Sequence, residues 1–463
     1  MIARQVEWRQ IRHHWEVSLL VLPTLILIAL FQYYPAASGA FHSFFRWNGS
    51  DISEWVGVRN YKDLLTSSEF WDSFKVAFIL GAWNVVKMAP ALVVAVCIHR
   101  CRSERAQFIY RALFAIPMVI PGLVVVLLWR SFFFEATSGY LNRFLMASGL
   151  FDLLAALDRL LHWGGVFVQG QSPAWLGDPR LIFTACVLWG FPWVNSFAVL
   201  THLAKLQQIP KPLYEAADID GANWWTKFTR LELPMIMGSV YLLLVFLIID
   251  TIRDAGTILA LAGIWGGPGG KVTVPALFMF RKAFVEQDMG YACAVGIVLT
   301  AVVMTLQKAS AAVMEWDTLT PGKRKAWRIA GLAAAAGLLA TGRLTIVAVA
   351  FVLLALPYGW LRRFAAARAA AAAPKSPARE GSRERALASE SPGKRRALRA
   401  LKHATIIGIL ALAILPLYLM AIVSLKTNTQ FYERPAALTA PLHWENFVAA
   451  WRMVAPPLAN SLF

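Results

Sequence analysis

Charge is scarce in this sequence of 463 residues: 16% of side chains are Asp, Glu, Lys or Arg, and 58% are hydrophobic. Soluble chains carry roughly 25% charged and 45 to 50% apolar residues, so a water-soluble core cannot hide this much apolar surface. Acidic residues are the scarcer sign, 27 against 45 basic, which leaves a formal net charge of +18. That excess excludes neither membrane nor nucleic acid until its placement is read. The basic residues stand in short loops beside apolar runs and in one low-complexity stretch, a pattern of membrane orientation rather than of nucleic-acid binding. Cysteine is nearly absent. Cys97, Cys101, Cys186 and Cys293 form no CxxC pair and no histidine stands at ligand spacing, which argues against a disulfide framework and predicts no metal site. The first apolar run lacks a small-residue cleavage pattern and is long for a signal peptide, so it is read as a retained helix.

What the sequence does have is a series of apolar runs near the roughly 20 residues that a helix needs to cross the hydrocarbon layer. They fall at about 17–37, 76–98, 112–134, 181–203, 234–250 and 291–313. Arg4, Arg9 and Arg12, then Arg100, Arg102, Arg105 and Arg111, then Lys205, Lys211, Lys227 and Arg230 mark the segments expected inside the cell. The N-terminus is therefore expected to be cytoplasmic, and 38–75, 135–180 and 251–290 to lie outside. Two shorter runs, 329–340 and 344–360, are expected to form a membrane hairpin, with a re-entrant or interfacial pair as the alternative. Residues 361–403 hold too little apolar side chain for a core and read as a basic, disordered cytoplasmic linker able to touch anionic lipid. A further span is expected at about 404–425.

The most informative stretch is 205–234, KLQQIPKPLYEAADIDGANWWTKFTRLELP. Pro212 suits a helix start, and Asp220 with Gly221 signals a turn, since glycine adopts the left-handed conformation that ends one helix and redirects the chain. Trp224, Phe228 and Leu231 follow at i, i+4 and i+7 as an apolar ridge, and Pro234 is expected to open the next span, where a missing amide donor costs nothing. An amphipathic segment of this kind could simply lie at the membrane interface. The order of residues points further. Glu215, Ala216, Ala217, Asp220, Gly221, Ala222, Leu233 and Pro234 match the EAA loop of ATP-driven importer permeases, with Leu231 where that family usually has Ile.

The resemblance to the sugar and glycerol-phosphate (maltose-type) permeases extends over about residues 17–312, through WVGVRNYKDLLTSSEFW, RALFAIPMVIP at 111–121, WLGDPR at 175–180 and GGPGGKVTVPALFMFRKAF at 266–284. It implies an all-α, polytopic membrane helix bundle of the type I ABC importer permease kind in a bacterial inner membrane, with a sugar or polyol as cargo. It also implies partners: a second permease, two cytoplasmic ATPase subunits and a periplasmic solute-binding protein. ATP would be used by the ATPase, with no cofactor bound by this chain and no catalytic residue in it. The loop residues Glu215, Ala216, Ala217, Asp218, Asp220, Gly221, Ala222, Trp224, Phe228, Leu231 and Pro234 would then couple ATPase closure to the spans. PLYLMAIVSLKTNTQFYERP, LHWENFVAAW and NSL at the C-terminal end resemble the opening of the partner permease. The expected organisation is thus a six-span permease at 1–313, the hairpin region 314–360, the linker 361–403, and at 404–463 the first span and outer segment of a second module. That module stops where its next span should begin, so a longer gene product is expected.

Charges near hydrocarbon usually face protein or a water-filled path. Lys87, Asp250, Arg253 and Asp254 are candidates for such a path or its outer gate; interfacial water, or snorkelling for Lys87, is the plainer alternative. Trp129, Trp189 and Trp193 could stack on sugar rings or merely anchor the interface. The Gly-rich run ending in Gly270 and Lys271 is not a phosphate-binding loop, because Trp265 stands at its first Gly position and Val272 follows the Lys. The rival reading is a secondary transporter driven by an ion gradient, which would be expected to show internal repeats and mid-membrane ionisable residues.

Overall fold

Long runs of Leu, Ile, Val and Phe become the long helices of the computed structural model, which describes residues 15–51, 53–101, 103–137, 139–314, 392–434 and 436–462. Helix α1 (Trp15–Ile28) passes through one wide turn into α2 (Tyr34–His42). A hairpin of three-residue strands, β1 (Phe45–Trp47) and β2 (Ser53–Trp55), pairs Phe45 with Trp55 and leads to α3 (Arg59–Thr66). These are the only strands among the described residues. The second span is α4 (Ser68–Val86) with α5 (Ala89–His99), and the third is α6 (Glu104–Ala115) with α7 (Gly122–Leu128). Outside the spans come α8 (Tyr140–Ala147) and α9 (Leu150–Leu161); α10 (Ile182–Leu188) and α11 (Ser196–Leu206) follow where the fourth span is expected. The chain continues through α12 (Lys211–Ile219), α13 (Trp224–Lys227), α14 (Leu233–Arg253), α15 (Ala255–Ala262), α16 (Pro275–Phe284) and α17 (Met289–Met314). Last come α18 (Pro392–Val423), α19 (Asn428–Glu433) and α20 (Glu445–Leu462).

Five of these runs are long and apolar enough to cross a membrane: Leu19–His42, Ser68–His99, Trp224–Arg253, Met289–Lys308 and Ala400–Val423. The expected third and fourth spans differ from simple rods. Ile120 precedes Pro121, which disfavours a helical backbone; its ψ of 127° breaks the run, and the two helices meet at 83°. The fourth is interrupted between α10 and α11, where Gly190 and Trp193 are left-handed and Asn195 restarts the helix by accepting from the Ala198 amide at 3.0 Å. The expected hairpin within 314–360 and most of the expected linker lie outside the described residues. The last part of that linker, from Pro392, is already helix α18.

Contacts gather the described residues into two units. The first holds those up to Ser73 together with Pro275–Thr305. Its hairpin is held by Asn60, whose amide donates to the carbonyls of Ser43 and Phe45, both at 2.9 Å, and by the Tyr61 and Ser43 hydroxyls at 2.6 Å. Phe70 packs on Phe278, and Arg281 pairs with Glu69 and Glu286.

The second unit holds Phe74–Val274 and the described residues from Leu306 onward. Its core is Val94, Ile98, Phe114, Val199, Leu203 and Ile236, with Ile406 and Leu410 of α18 buried among them. Tyr110 and His403 add a hydrogen bond of 2.8 Å between α6 and α18.

Within the second unit, residues 139–181 are strapped by carboxylates. Buried Asp158 accepts from the amides of Gly165 at 3.1 Å and Phe167 at 2.6 Å, and Asp178 holds Arg180, which reaches the Gly164 carbonyl at 2.6 Å. Trp175 donates to Asn142 at 2.7 Å. The Phe167 amide holds the Asp158 carboxyl below its usual range, and Arg180 does the same for Asp178. Both shifts are depressions, so this strapping is complete above the ordinary carboxylate pKa of about 3.9 and fades as pH falls through the depressed values. Limited proteolysis of the solubilised protein should therefore begin to cut 162–170 only in acid. Asp158→Asn should open that site at neutral pH; equal resistance of variant and parent would show that the charge is not what holds the loop.

Candidate functional site

The segment 205–234 folds as an elbow. Helix α12 starts behind Pro210, with Pro212 in its first turn where no amide is needed. It ends because Gly221 takes φ 70°: the Gly221 amide donates to Asp218 at 3.1 Å and the Ala222 amide to Ala217 at 2.9 Å, the paired bonds of a left-handed helix stop. Asn223 then caps α13 by accepting from the Thr226 amide at 2.8 Å.

Pro234 falls in the first turn of α14, as expected, but no break precedes that helix. The chain is helical without interruption from Trp224 to Arg253, 30 residues, with a wide turn at Phe228–Glu232 just ahead of the proline. Pro234 cannot donate to the carbonyl four residues back, and a wide turn relieves that crowding without breaking the rod. The distal half of the elbow and the fifth span are therefore one continuous helix.

Two residues outside the expected set fasten the elbow to the bundle. The Glu232 side chain is 0% exposed and faces Arg100, itself 15% exposed, at the end of α5. Arg100 Nε and Nη2 meet the two carboxylate oxygens at 2.7 and 2.5 Å, a bidentate pair. The guanidinium also donates to the Trp224 carbonyl at 3.3 Å and lies 4.6 Å from the centre of the Trp224 ring. Tyr214 of α12 donates to Glu232 at 3.3 Å, which assigns the proton on the 2.9 Å bond from His99 to that imidazole's Nε2. Burial, together with the Glu232 carboxylate, keeps the Tyr214 phenol above its ordinary pKa, so it remains a donor. Lys402 of α18 donates to the Arg100 carbonyl at 2.9 Å. A carboxylate immediately before Leu233 and Pro234, at the mouth of an apolar span, is the sequence signal that a cation must be waiting.

The outward face of the elbow is what remains. Glu215, Ala216, Asp220 and Gly221 are exposed, Ala217 and Ala222 half-buried, and Asp218 is tied across the elbow to Lys227. The expected ridge of Trp224, Phe228 and Leu231 is divided: Phe228 and Leu231 pack on the core, whereas Trp224 turns outward beside Trp225, which is 62% exposed. With Leu213 and Ile219 they make an apolar surface around small alanines, suited to another protein.

A second feature is a cleft of about 690 Å³ beside the interruption of the fourth span. It brings Lys87, Asp250 and Arg253 together, with Trp189 and Trp193 beside them. Lys87 stands between α4 and α5 and donates to the Cys186 carbonyl at 3.1 Å. Asp254 is not in this lining; it caps α15 by accepting from the Thr257 amide at 2.8 Å. Trp129 stacks on Phe133 in a separate cleft of about 480 Å³ that Trp189 also lines. The Gly266–Lys271 run is closed by its own backbone bonds, Val272 to Gly266 at 3.0 Å and Thr273 to Gly270 at 3.2 Å, and forms a turn rather than an anion cradle. Among the described residues no group of His, Cys, Asp and Glu is placed to hold a metal ion.

Comparison with known proteins places this architecture. The family of binding-protein-dependent transport system inner membrane components matches residues 91–316. The inner membrane ABC transporter permease protein YcjO of Escherichia coli (strain K12) is 30% identical over 290 residues, 62% of this chain and 90% of that one. The multiple sugar-binding transport system permease protein MsmF of Streptococcus mutans is 28% identical over 63% of this chain and 91% of its own length. The trehalose/maltose transport system permease protein MalF of Thermococcus litoralis is 29% identical over 62% and 89%. In structure, a chain of a bacterial ABC transporter involved in the import of the acidic polysaccharide alginate superposes with a TM-score of 0.52 at 21% identity, over 65% of this chain and 96% of that one, a likeness of fold. With broken apolar spans, an elbow continuous with one of them, and near-complete overlap with such relatives, the chain belongs to the binding-protein-dependent transport system inner membrane component family.

Proposed function

We propose that the chain is a permease subunit of an ATP-driven importer for a sugar or polyol, and that the elbow 211–234 couples it to a separate ATPase. The carrying observation is the uninterrupted helix from Trp224 to Arg253, fastened at Arg100, whose outer face carries Glu215 and exposed apolar side chains. Small Ala216 and Ala217 let another backbone approach, and the Glu215 carboxylate can accept from a basic partner. Closure of two ATPase subunits would then tilt the spans as a rigid body. A sugar as cargo follows from relatives such as MsmF of a multiple sugar-binding transport system and MalF of a trehalose/maltose transport system.

A second permease, two ATPases and a periplasmic solute-binding protein complete the machine, and the N-terminus faces the cytoplasm. One related ABC transporter structure is described in complex with an alginate pentasaccharide-bound periplasmic protein. Helix α18, buried against α5, α6 and α7, acts as the opening span of a second module laid on the first.

The test is reconstitution in vesicles with all partners. Uptake should require ATP, and Glu215→Lys should lower both ATPase co-purification and uptake about tenfold or more, with insertion and yield unchanged. If the chain moved solute down an ion gradient with no ATPase present, the secondary-transporter reading would stand in its place.

A further inference from the structure

We propose that the cleft at Lys87 takes an acidic saccharide, its carboxylate seated on the Lys87 ammonium; this deepens the permease reading and rests on it. The argument begins with where the lysine stands. Lys87 stands at the junction of α4 and α5, its amide still bonded to the Trp83 carbonyl at 3.0 Å within the continuous run Ser68–His99, and its side chain turns into the bundle of the second unit towards α10. Its one acceptor among the described residues is the Cys186 carbonyl at 3.1 Å. An ammonium has three donors, so two are left for a ligand. A carbonyl is also no counter-charge, and a cation amid apolar spans is costly unless an anion compensates it.

The rest of the lining agrees in sign and shape. Arg253 is a second cation of the lining and Asp250 its one carboxylate, with Asp254 next to Arg253 just beyond it; none of Lys87, Asp250 and Arg253 is in an ion pair among the described residues. Asp250 can accept from sugar hydroxyls, and Asn84, which donates to Thr251 at 3.0 Å, adds an amide oxygen. Trp189 and Trp193 present half-buried aromatic rings, the latter fixed by its Nε1 donating to the Val187 carbonyl at 3.1 Å. A volume of about 690 Å³ lies within the roughly 300–1,000 Å³ of small-molecule sites. A neutral sugar would satisfy the rings and Asp250 but leave the Lys87 ammonium without an anion. A saccharide bearing one carboxylate supplies it.

The matched probes are cellobiose and cellobiouronate, alike except for one carboxylate, titrated by calorimetry into the intact transporter in phosphatidylcholine vesicles. Cellobiouronate should bind at least about tenfold more tightly. Lys87→Gln should erase that preference by weakening the acid alone, and Lys87→Arg should keep it, which also guards against a variant that merely misfolds. Equal binding of the two probes, a preference that survives Lys87→Gln, no binding of either, or displacement of the acid by phosphatidylglycerol at low mole fraction would each overturn the assignment. Failure of ATP-driven uptake for every sugar would strike at the permease reading instead, whereas robust uptake of the neutral sugar without acid preference would strike only here.

Discussion

Arg100→Met will destabilise the solubilised protein by about 3–5 kcal/mol, the usual cost of leaving one member of a buried ion pair alone. Glu232 is fully buried, and with the guanidinium gone its remaining partner is the Tyr214 hydroxyl at 3.3 Å, too little to solvate a carboxylate. Arg100→Lys should cost less, because it keeps the charge while losing the two-pronged bond and the stacking on Trp224. The decisive variant is the double substitution Arg100→Met with Glu232→Leu, which removes both charges and should recover most of the loss. Thermal and denaturant unfolding followed by tryptophan fluorescence reads all three. Should the double variant be no more stable than the single one, the defect would lie in lost packing around Arg100, and the buried pair would not be what fastens the elbow.

That pair also marks where reading the sequence stops. Apolar runs are a local property, so the helices Leu19–His42, Trp224–Arg253, Met289–Lys308 and Ala400–Val423 coincide with runs visible in the sequence. The turn at Asp220 and Gly221 is local too. The interruption between α10 and α11 was signalled by Gly190, Pro192 and Asn195, but hydropathy averaged over a span ignores backbone punctuation. Pro234 marked the first turn of α14 but not its continuity with α13: a wide turn upstream lets a proline sit inside a continuous helix, and no residue pattern announces one. Arg100 and Glu232 are 132 residues apart, and a single sequence contains nothing that pairs them. Lys87, Asp250 and Arg253 stood out singly as charges near hydrocarbon; only packing gathers them into one cleft and sends Asp254 elsewhere to cap a helix.

Gly221→Pro will uncouple transport, lowering uptake by at least about tenfold while the protein still inserts. Two independent features of the elbow forbid proline there. The backbone holds φ at 70°, whereas the ring fixes it near −65°, and the Gly221 amide that proline lacks donates to Asp218. Together these cost at least about 3 kcal/mol, enough to redirect α12 away from the α13 rod. Substitutions that test conformation alone should be graded. A Cβ at 221 meets nothing within 4 Å, so Gly221→Ala carries only the left-handed backbone penalty of about 1–2 kcal/mol, and Gly221→Asn less, since Asn tolerates that region. Uptake per ATP hydrolysed by the reconstituted transporter should therefore fall in the order Gly, Asn, Ala, Pro. A flat series would mean that the angle between α12 and the Trp224–Arg253 helix carries no force. In that case the stroke would have to enter the spans through Arg100 and α5, and the Arg100 variants would then outrank Gly221→Pro in the same assay.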